Sequence, residues 1–444
     1  MKRRIIRSGR RACSLAVAIA LAGCARYAPL PLPETPLLAP GIASLRHDRP
    51  LPPYLDVETV ARLAVLNNPD LKAIRIRHGI ADAQLLQAGL LPNPQGSLSA
   101  TPTLAGPGVT TAWNAGLTQD LRSLILRPSA ERAAKAGLHQ VDAQILWQEW
   151  QVVGQARLLA VQLIEENDTL GLLHDLSALL TRRVARQQIA LDAGDATYAM
   201  LAPDLATLAG TQGQLRAAGR LQLQQRHQLA ALLGLQPDAP LPLADRVELP
   251  RLDMQALRAA LPGLPRRRPD LLALRWGYEA ANQKLRTAIL LQFPNVSFGA
   301  SGGSDNSNVR GIGPQLTFEL PIFDRGQGNI AIARTSRQQL RDEYAARIAA
   351  ADGEVAARLD ELVQLGSQIE AARAALPAVR AASDAAARQD LAGLLDPQAQ
   401  TDLLTARFTR ESELVALEQI RLEQQVAVET LAGIGMNTTT TAIP

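Results

Sequence analysis

The chain contains only two cysteines, five histidines and 3% aromatic residues among its 444. Cys13 falls in an N-terminal leader, which leaves Cys24 alone, so one processed chain can form neither a disulfide nor a cysteine-based metal site. His47, His78, His139, His174 and His227 are scattered, with no ligand spacing and no adjoining glutamate motif. Gly311-Ile312-Gly313-Pro314 opens no helix and is no phosphate loop. These absences argue for a protein with no metal, no cofactor and no enzymatic activity. Past the leader, no stretch approaches the ~18 uncharged apolar residues that a spanning helix needs.

What opens the chain is a leader. Lys2, Arg3, Arg4, Arg7, Arg10 and Arg11 precede an apolar run from Ser14 that ends at Leu21-Ala22-Gly23-Cys24, the layout of a secretory signal peptide over residues 1–23. A cysteine directly after Leu-Ala-Gly resembles the lipobox of bacterial lipoproteins, which implies that Cys24 becomes the acylated first residue. More than one acyl chain exceeds the threshold for stable anchoring. The leader holds six of the 46 Lys+Arg and none of the 42 Asp+Glu, so the remainder carries 40 against 42 and the apparent basicity disappears. Nucleic acid is thereby excluded as a partner expected from charge.

The sequence also repeats. Residues 68–100 align without a gap on 268–300, with 13 of 33 positions identical, among them Pro69/Pro269, Asp70/Asp270, Leu71/Leu271, Pro94/Pro294 and Ser97/Ser297. The register continues at an offset of 199 through Gly194/Gly393, Leu232/Leu431 and Gly234/Gly433. The organisation expected is a leader (1–23), an extended segment (24–56), a first repeat (57–235), a linker (236–266), a second repeat (267–436) and a tail (437–444). The Pro-rich stretch from Pro29 to Pro53 and the linker both read as extended, weakly structured spacers.

Each repeat reads as a helix, two short strands, a very long helix, a break and another helix. The first helix should run from Val57 to before Pro92, where Leu91-Pro92-Asn93-Pro94 cannot continue it. After each proline the apolar period switches to two, over about 95–121 and about 295–321. Leu98, Trp113, Leu117, Phe298, Ile312 and Leu316 fall on one face, with Ser97, Ser99, Asn114, Thr118, Ser301 and Gln315 on the other. The turns are Ala105-Gly106-Pro107-Gly108 and Gly302 to Asn308. Alternation alone fits a soluble sheet with one wet face as well. The lipid anchor, the repetition and the long flanking helices point to a bilayer, where an open edge cannot persist. Four strands are too few to close around a lumen, since even the smallest such barrels use ~8, so the barrel must be shared between chains.

The long helices should cover about Ser129 to Ala190 and about Asn329 to Arg388, each reaching about 90 Å at 1.5 Å per residue. Both end at glycine-containing breaks, about 191–197 and about 390–397, which read as helical hairpin tips. Thr197 and Asp396-Pro397 suit the start of the returning helices.

The duplicated unit, with Leu-Pro-Asn-Pro before one hairpin, Phe-Pro-Asn before the other and Leu-Pro-Ile-Phe-Asp at 320–324 before an Ala-rich helix, resembles the TolC family of outer-membrane efflux proteins over nearly the whole mature chain. The resemblance implies a mainly α fold with a small β part: a homotrimer whose twelve-stranded transmembrane β-barrel continues as an α-helical barrel into the periplasm. It implies a passive exit duct in the bacterial outer membrane, working with a periplasmic adaptor (membrane fusion) protein and an inner-membrane pump. In that family acidic residues often ring the constricted entrance. Asp390 and Asp396 at the second tip are candidates by position, with Asp192 and Asp195 at the first, and Gly194 and Gly393 would shape the surface met by the adaptor. The competing expectation is a lipid-anchored periplasmic adaptor or scaffold, which also joins an anchor to a helical hairpin.

Overall fold

A computed structural model describes residues 27–104, 110–391 and 397–433, and the side chains of 390, 391, 397 and 398 are not described. The leader, Cys24, the first hairpin turn, Gly393, Asp396 and the tail lie outside the described residues. The chain divides into two units, residues 1–38 and 39–444. In the first, residues 27–38 are extended, with Tyr27, Leu30, Leu32 and Leu37 exposed.

The second unit begins with short bridges rather than a spacer. The Ala39 N–H donates to the Gly234 carbonyl at 2.9 Å, Leu55 donates to the Pro242 carbonyl at 2.7 Å, and Leu45 and Leu55 are buried. Leu241, Leu243, Val247 and Leu249 from the linker pack on the same cluster. The expectation of weak structure holds for Pro29 to Leu38 but fails from Ala39 to Pro53 and in the linker, for a plain reason. Proline removes donors but not apolar surface, and spaced aliphatic side chains still bury when a partner strip satisfies the remaining backbone.

Helix α1 (Val57–Asn67) starts at Asp56, whose carboxylate accepts from the Thr59 N–H at 2.7 Å. It buries Val57, Val60, Leu63 and Ala64 against Ala156, Leu159, Ala160, Leu229 and Leu233. It does not run on to Pro92. Asn68 leaves helical geometry (φ −51°, ψ 124°) because Pro69 forbids it the α region, and a second helix, α2 (Pro69–Gly89), follows. Asn68 caps the second helix and ties it to a distant segment: its Oδ1 accepts from Leu71 N–H and its Nδ2 donates to the Leu232 carbonyl, both at 2.9 Å.

After the strands β1 (Gln95–Thr101) and β2 (Ala112–Asp120), α3 runs unbroken over Arg122–Asp192, 71 residues and about 106 Å by helical rise. It passes through Pro128, which the sequence reading took as its outer limit. Proline there removes one hydrogen bond near the helix end, where Asp120 already accepts from the Arg122 N–H at 2.8 Å. Helix α4 (Tyr198–Leu233) returns and ends on Gly234 at φ 71°, a left-handed cap. The linker holds two short helices, α5 (Met254–Ala260) and α6 (Leu264–Arg267).

The second repeat follows the same order: α7 (Pro269–Leu290), β3 (Val296–Ser304), β4 (Arg310–Phe318), α8 (Gln327–Leu391) and α9 (Pro397–Ala432). Gly433, the counterpart of Gly234, is left-handed too (φ 65°), and a Cβ there would come within 2.2 Å of the Trp150 ring. Beside the strands the helices neighbour one another in the order α2, α3, α7, α8, whereas toward the tips α3 packs on α4 and α9, and α9 packs on α8. The two long helices are therefore common to both levels, and only their short partners change.

Candidate functional site: the open sheet and the helical tips

The four strands form one antiparallel sheet in the order β1-β2-β3-β4. Its centre joins the two repeats: Leu117 pairs with Ala300, and Asp120 with Ser297. The register places residues across the sheet in rows. Leu98, Ala115, Gly302 and Ile312 share one row, Gly96, Leu117, Ala300 and Pro314 another, and Gln119, Phe298 and Leu316 a third, all on the same face. On the opposite face Ser99, Asn114, Gly303 and Gly311 align, as do Ser97, Gly116, Ser301 and Gly313. The apolar face is unsheltered, with Leu98 81% and Ile312 88% exposed. The other carries Ser, Thr, Asn, Gln, Gly and Ala, and its one charge is Asp120 at the base.

Three of the strands have nine residues, the length that crosses a bilayer at a tilt. Among the described residues, strands β1 and β4 each pair on one side only. The two central strands also approach closely on the polar face. A Cβ on Gly299 would lie 2.0 Å from the Leu117 carbonyl oxygen, and one on Gly303 2.4 Å from that of Trp113. Only glycine permits β2 and β3 to approach so closely on that side. Gly302 to Ser304 lie inside β3, not in a turn as the composition suggested. The turn itself is held by Asp305, whose Oδ1 accepts from Ser307 and Val309 at 2.9 Å, with Asn308 at φ 62°.

At the first tip, Asp192 is the last residue of α3, exposed, and receives a hydrogen bond from the Gln188 side chain at 2.9 Å. Gly194 is left-handed (φ 84°), and exposed Asp195 returns its N–H to the Ala190 carbonyl at 2.8 Å. The two aspartates thus share one turn. At the second tip, Asp390 lies in the last turn of α8, while Gly393 and Asp396 fall outside the described residues.

Sequence reasoning missed a polar cluster nine residues up α3 from Asp192, about 14 Å by helical rise. Arg183 donates to Asp204 of α4 at 2.5 Å and to Gln400 of α9, and Thr401 of α9 donates to the same Asp204. All four side chains are buried. The cluster ties the first helical hairpin to the second. A lone aspartate among the apolar neighbours Leu201, Ala202, Leu205 and Ala206 was its one visible sign. Midway along α3 lie two more carboxyls. Burial holds Glu166 above its ordinary range, and Glu165 is raised by burial first and then by Asp168 and Glu418.

The four strands thus form an open sheet with one greasy and one polar face, and helices of 71 and 65 residues extend from it. The family described as Outer membrane efflux protein matches residues 264–434, most of the second repeat. The chain is 25% identical over 222 residues, 48% of its length, to the multidrug resistance outer membrane protein MdtP of Escherichia coli O157:H7. It is 35% identical over 118 residues to the fusaric acid resistance protein FusA of Burkholderia cepacia, 23% of this chain and 21% of that one. The matched part spans 45% of MdtP, so the chain covers less than half the length of either relative. The fold matches the Campylobacter jejuni CmeC outer membrane channel with a TM-score of 0.73 at 16% identity, over 93% of this chain and 95% of that one.

Proposed function

We propose that the protein is a passive exit duct of the outer membrane, one protomer of a homotrimer that carries small molecules out of the cell. The single observation that carries this is the four-stranded sheet with two unpaired edges. Three copies joined edge to edge make twelve strands, which satisfies every edge group and turns the polar faces onto a common lumen. A second feature supports the same assembly. Ile76 and Ile80 on α2 are 68% and 57% exposed and form an apolar helix face with Ala83, which a neighbouring copy would cover.

In this reading Cys24 is acylated and anchors the protomer in outer-membrane lipid, and the helical section reaches into the periplasm. Its tips meet a periplasmic adaptor through the turns at Gly194 and Gly393, and the adaptor connects it to an inner-membrane pump that supplies the energy. Asp390 and Asp396, with Asp192 and Asp195, line the gate, where a ring of carboxylates would concentrate cations. The Arg183–Asp204–Gln400–Thr401 cluster holds the two hairpins together behind that ring. The names of the relatives nominate small organic molecules as cargo. A lipid-anchored adaptor is the weaker reading, because an adaptor has no use for a sheet with one apolar face exposed and two free edges.

Purified full-length protein should run as a heat-dissociable trimer and open discrete conductance steps in planar bilayers. Asp390→Ala with Asp396→Ala should change cation block. A monomer that stays soluble once its lipid is removed would overturn the duct.

A further inference from the structure

A cavity of about 570 Å³ opens among α2, α3, α7 and α8, within the range that holds small organic ligands. One part of its lining is apolar: Ile74, Val141, Ile145, Leu274 and the Trp147 ring. The other part is polar, with Arg77, Gln140, Gln144, Gln148, Asp270 and Arg347.

The charges can be counted. Asp270 sits between two arginines, accepting from Arg268 at 2.9 Å and from Arg347 at 2.7 Å, and Glu354 lies 3.2 Å and 3.4 Å from the same pair. Two cations and two carboxylates leave that group neutral, and Arg268 is fully buried with its guanidinium 5.1 Å above Trp147. Arg77 is different: it lines the cavity with no hydrogen bond or ion pair among the described residues. The cavity therefore has an apolar wall, amide groups free to donate, and one uncompensated positive charge. Arg77 lies at the exposed rim of the cavity, so a cation would meet it unopposed while a carboxylate would pair with it.

We propose that this cavity binds aromatic monocarboxylates, with the ring against Trp147, Ile74 and Leu274 and the carboxylate on Arg77. As a resting place for cargo it deepens, and rests on, the duct reading; as a binding site it stands without it.

Isothermal titration of the purified full-length trimer with 2-naphthoate, 2-naphthol and 2-naphthylmethylammonium tests the assignment. The anion should bind about threefold to fivefold tighter than the neutral isostere, the size of one exposed ion pair. Arg77→Ala should erase that preference while 2-naphthol binds as before, and Ile74→Trp, which fills the cavity, should abolish binding of both. Trimer mobility on gels checks that each variant is folded. Equal affinity for anion and cation, no binding of 2-naphthoate, or an anion preference that survives Arg77→Ala would overturn the site. Normal conductance with no naphthoate binding removes the cavity alone; naphthoate binding without conductance removes the duct alone.

Discussion

Asp204→Ala should open the channel more than it harms the fold, and the size of the effect follows from burial. The side chains of Arg183 and Asp204 are 4% and 1% exposed, and Asp204 also accepts from Thr401 across the gap between the helical hairpins. Breaking such a buried pair from one side costs about 3–5 kcal/mol. To the extent that the cluster exists only with the hairpins together, the same energy leaves the closed state. A loss of about 3 kcal/mol shifts closed to open on the order of a hundredfold, so a channel open about 1% of the time becomes open about half the time. Single-channel recording reads this directly as open probability. The double variant Arg183→Met, Asp204→Leu separates latch from scaffold. An apolar pair should restore thermal stability to within about 1–2 kcal/mol, because such replacements are often neutral, yet leave the open probability raised. Wild-type gating in both variants, whatever their melting behaviour, would refute the reasoning.

Other consequences concern the sheet and the buried carboxyls. Gly299→Val places atoms where Leu117 already stands, so the heat-dissociable trimer should be lost, whereas Gly313→Val, with open space at its Cβ, should assemble normally on gels. Leu117→Arg on the apolar face should cost about 2–4 kcal/mol in membrane stability, while Ser99→Lys on the polar face should assemble and shift the channel toward anions in reversal-potential measurements. Because burial raises the Glu166 carboxyl, the folded chain holds that proton more tightly than the unfolded one. Its contribution is therefore fully present below the unfolded value and is lost as pH rises through the folded one. Glu166→Gln should raise the melting temperature at pH 7 and change little at pH 4; an equal change at both would contradict the assignment.

Much of this protein is legible in local pattern. Alternation over Leu98, Trp113, Leu117, Phe298, Ile312 and Leu316 assigned every one of those residues to the face that the pairing register confirms. The 199–200 residue repeat likewise announced Gly234 and Gly433, both left-handed helix caps. The candidate site was legible only in part. That Asp192 and Asp195 share a tip turn could be read because turns have a composition, but Arg183 and Gln400 lie 217 residues apart and neither carries a turn or repeat signal.

What the sequence by itself determined is the set of elements, their order and the faces they bury or expose, since period, proline and glycine act within a few residues. Tertiary structure alone decided that β2 pairs with β3, that the proline-rich strips close a core rather than hang free, and that Arg183 finds Asp204, Gln400 and their neighbours behind the tips. Those contacts join residues whose only common property is where the long helices carry them. The rise of a helix places a side chain far from its sequence neighbours, and no local pattern records what it meets there.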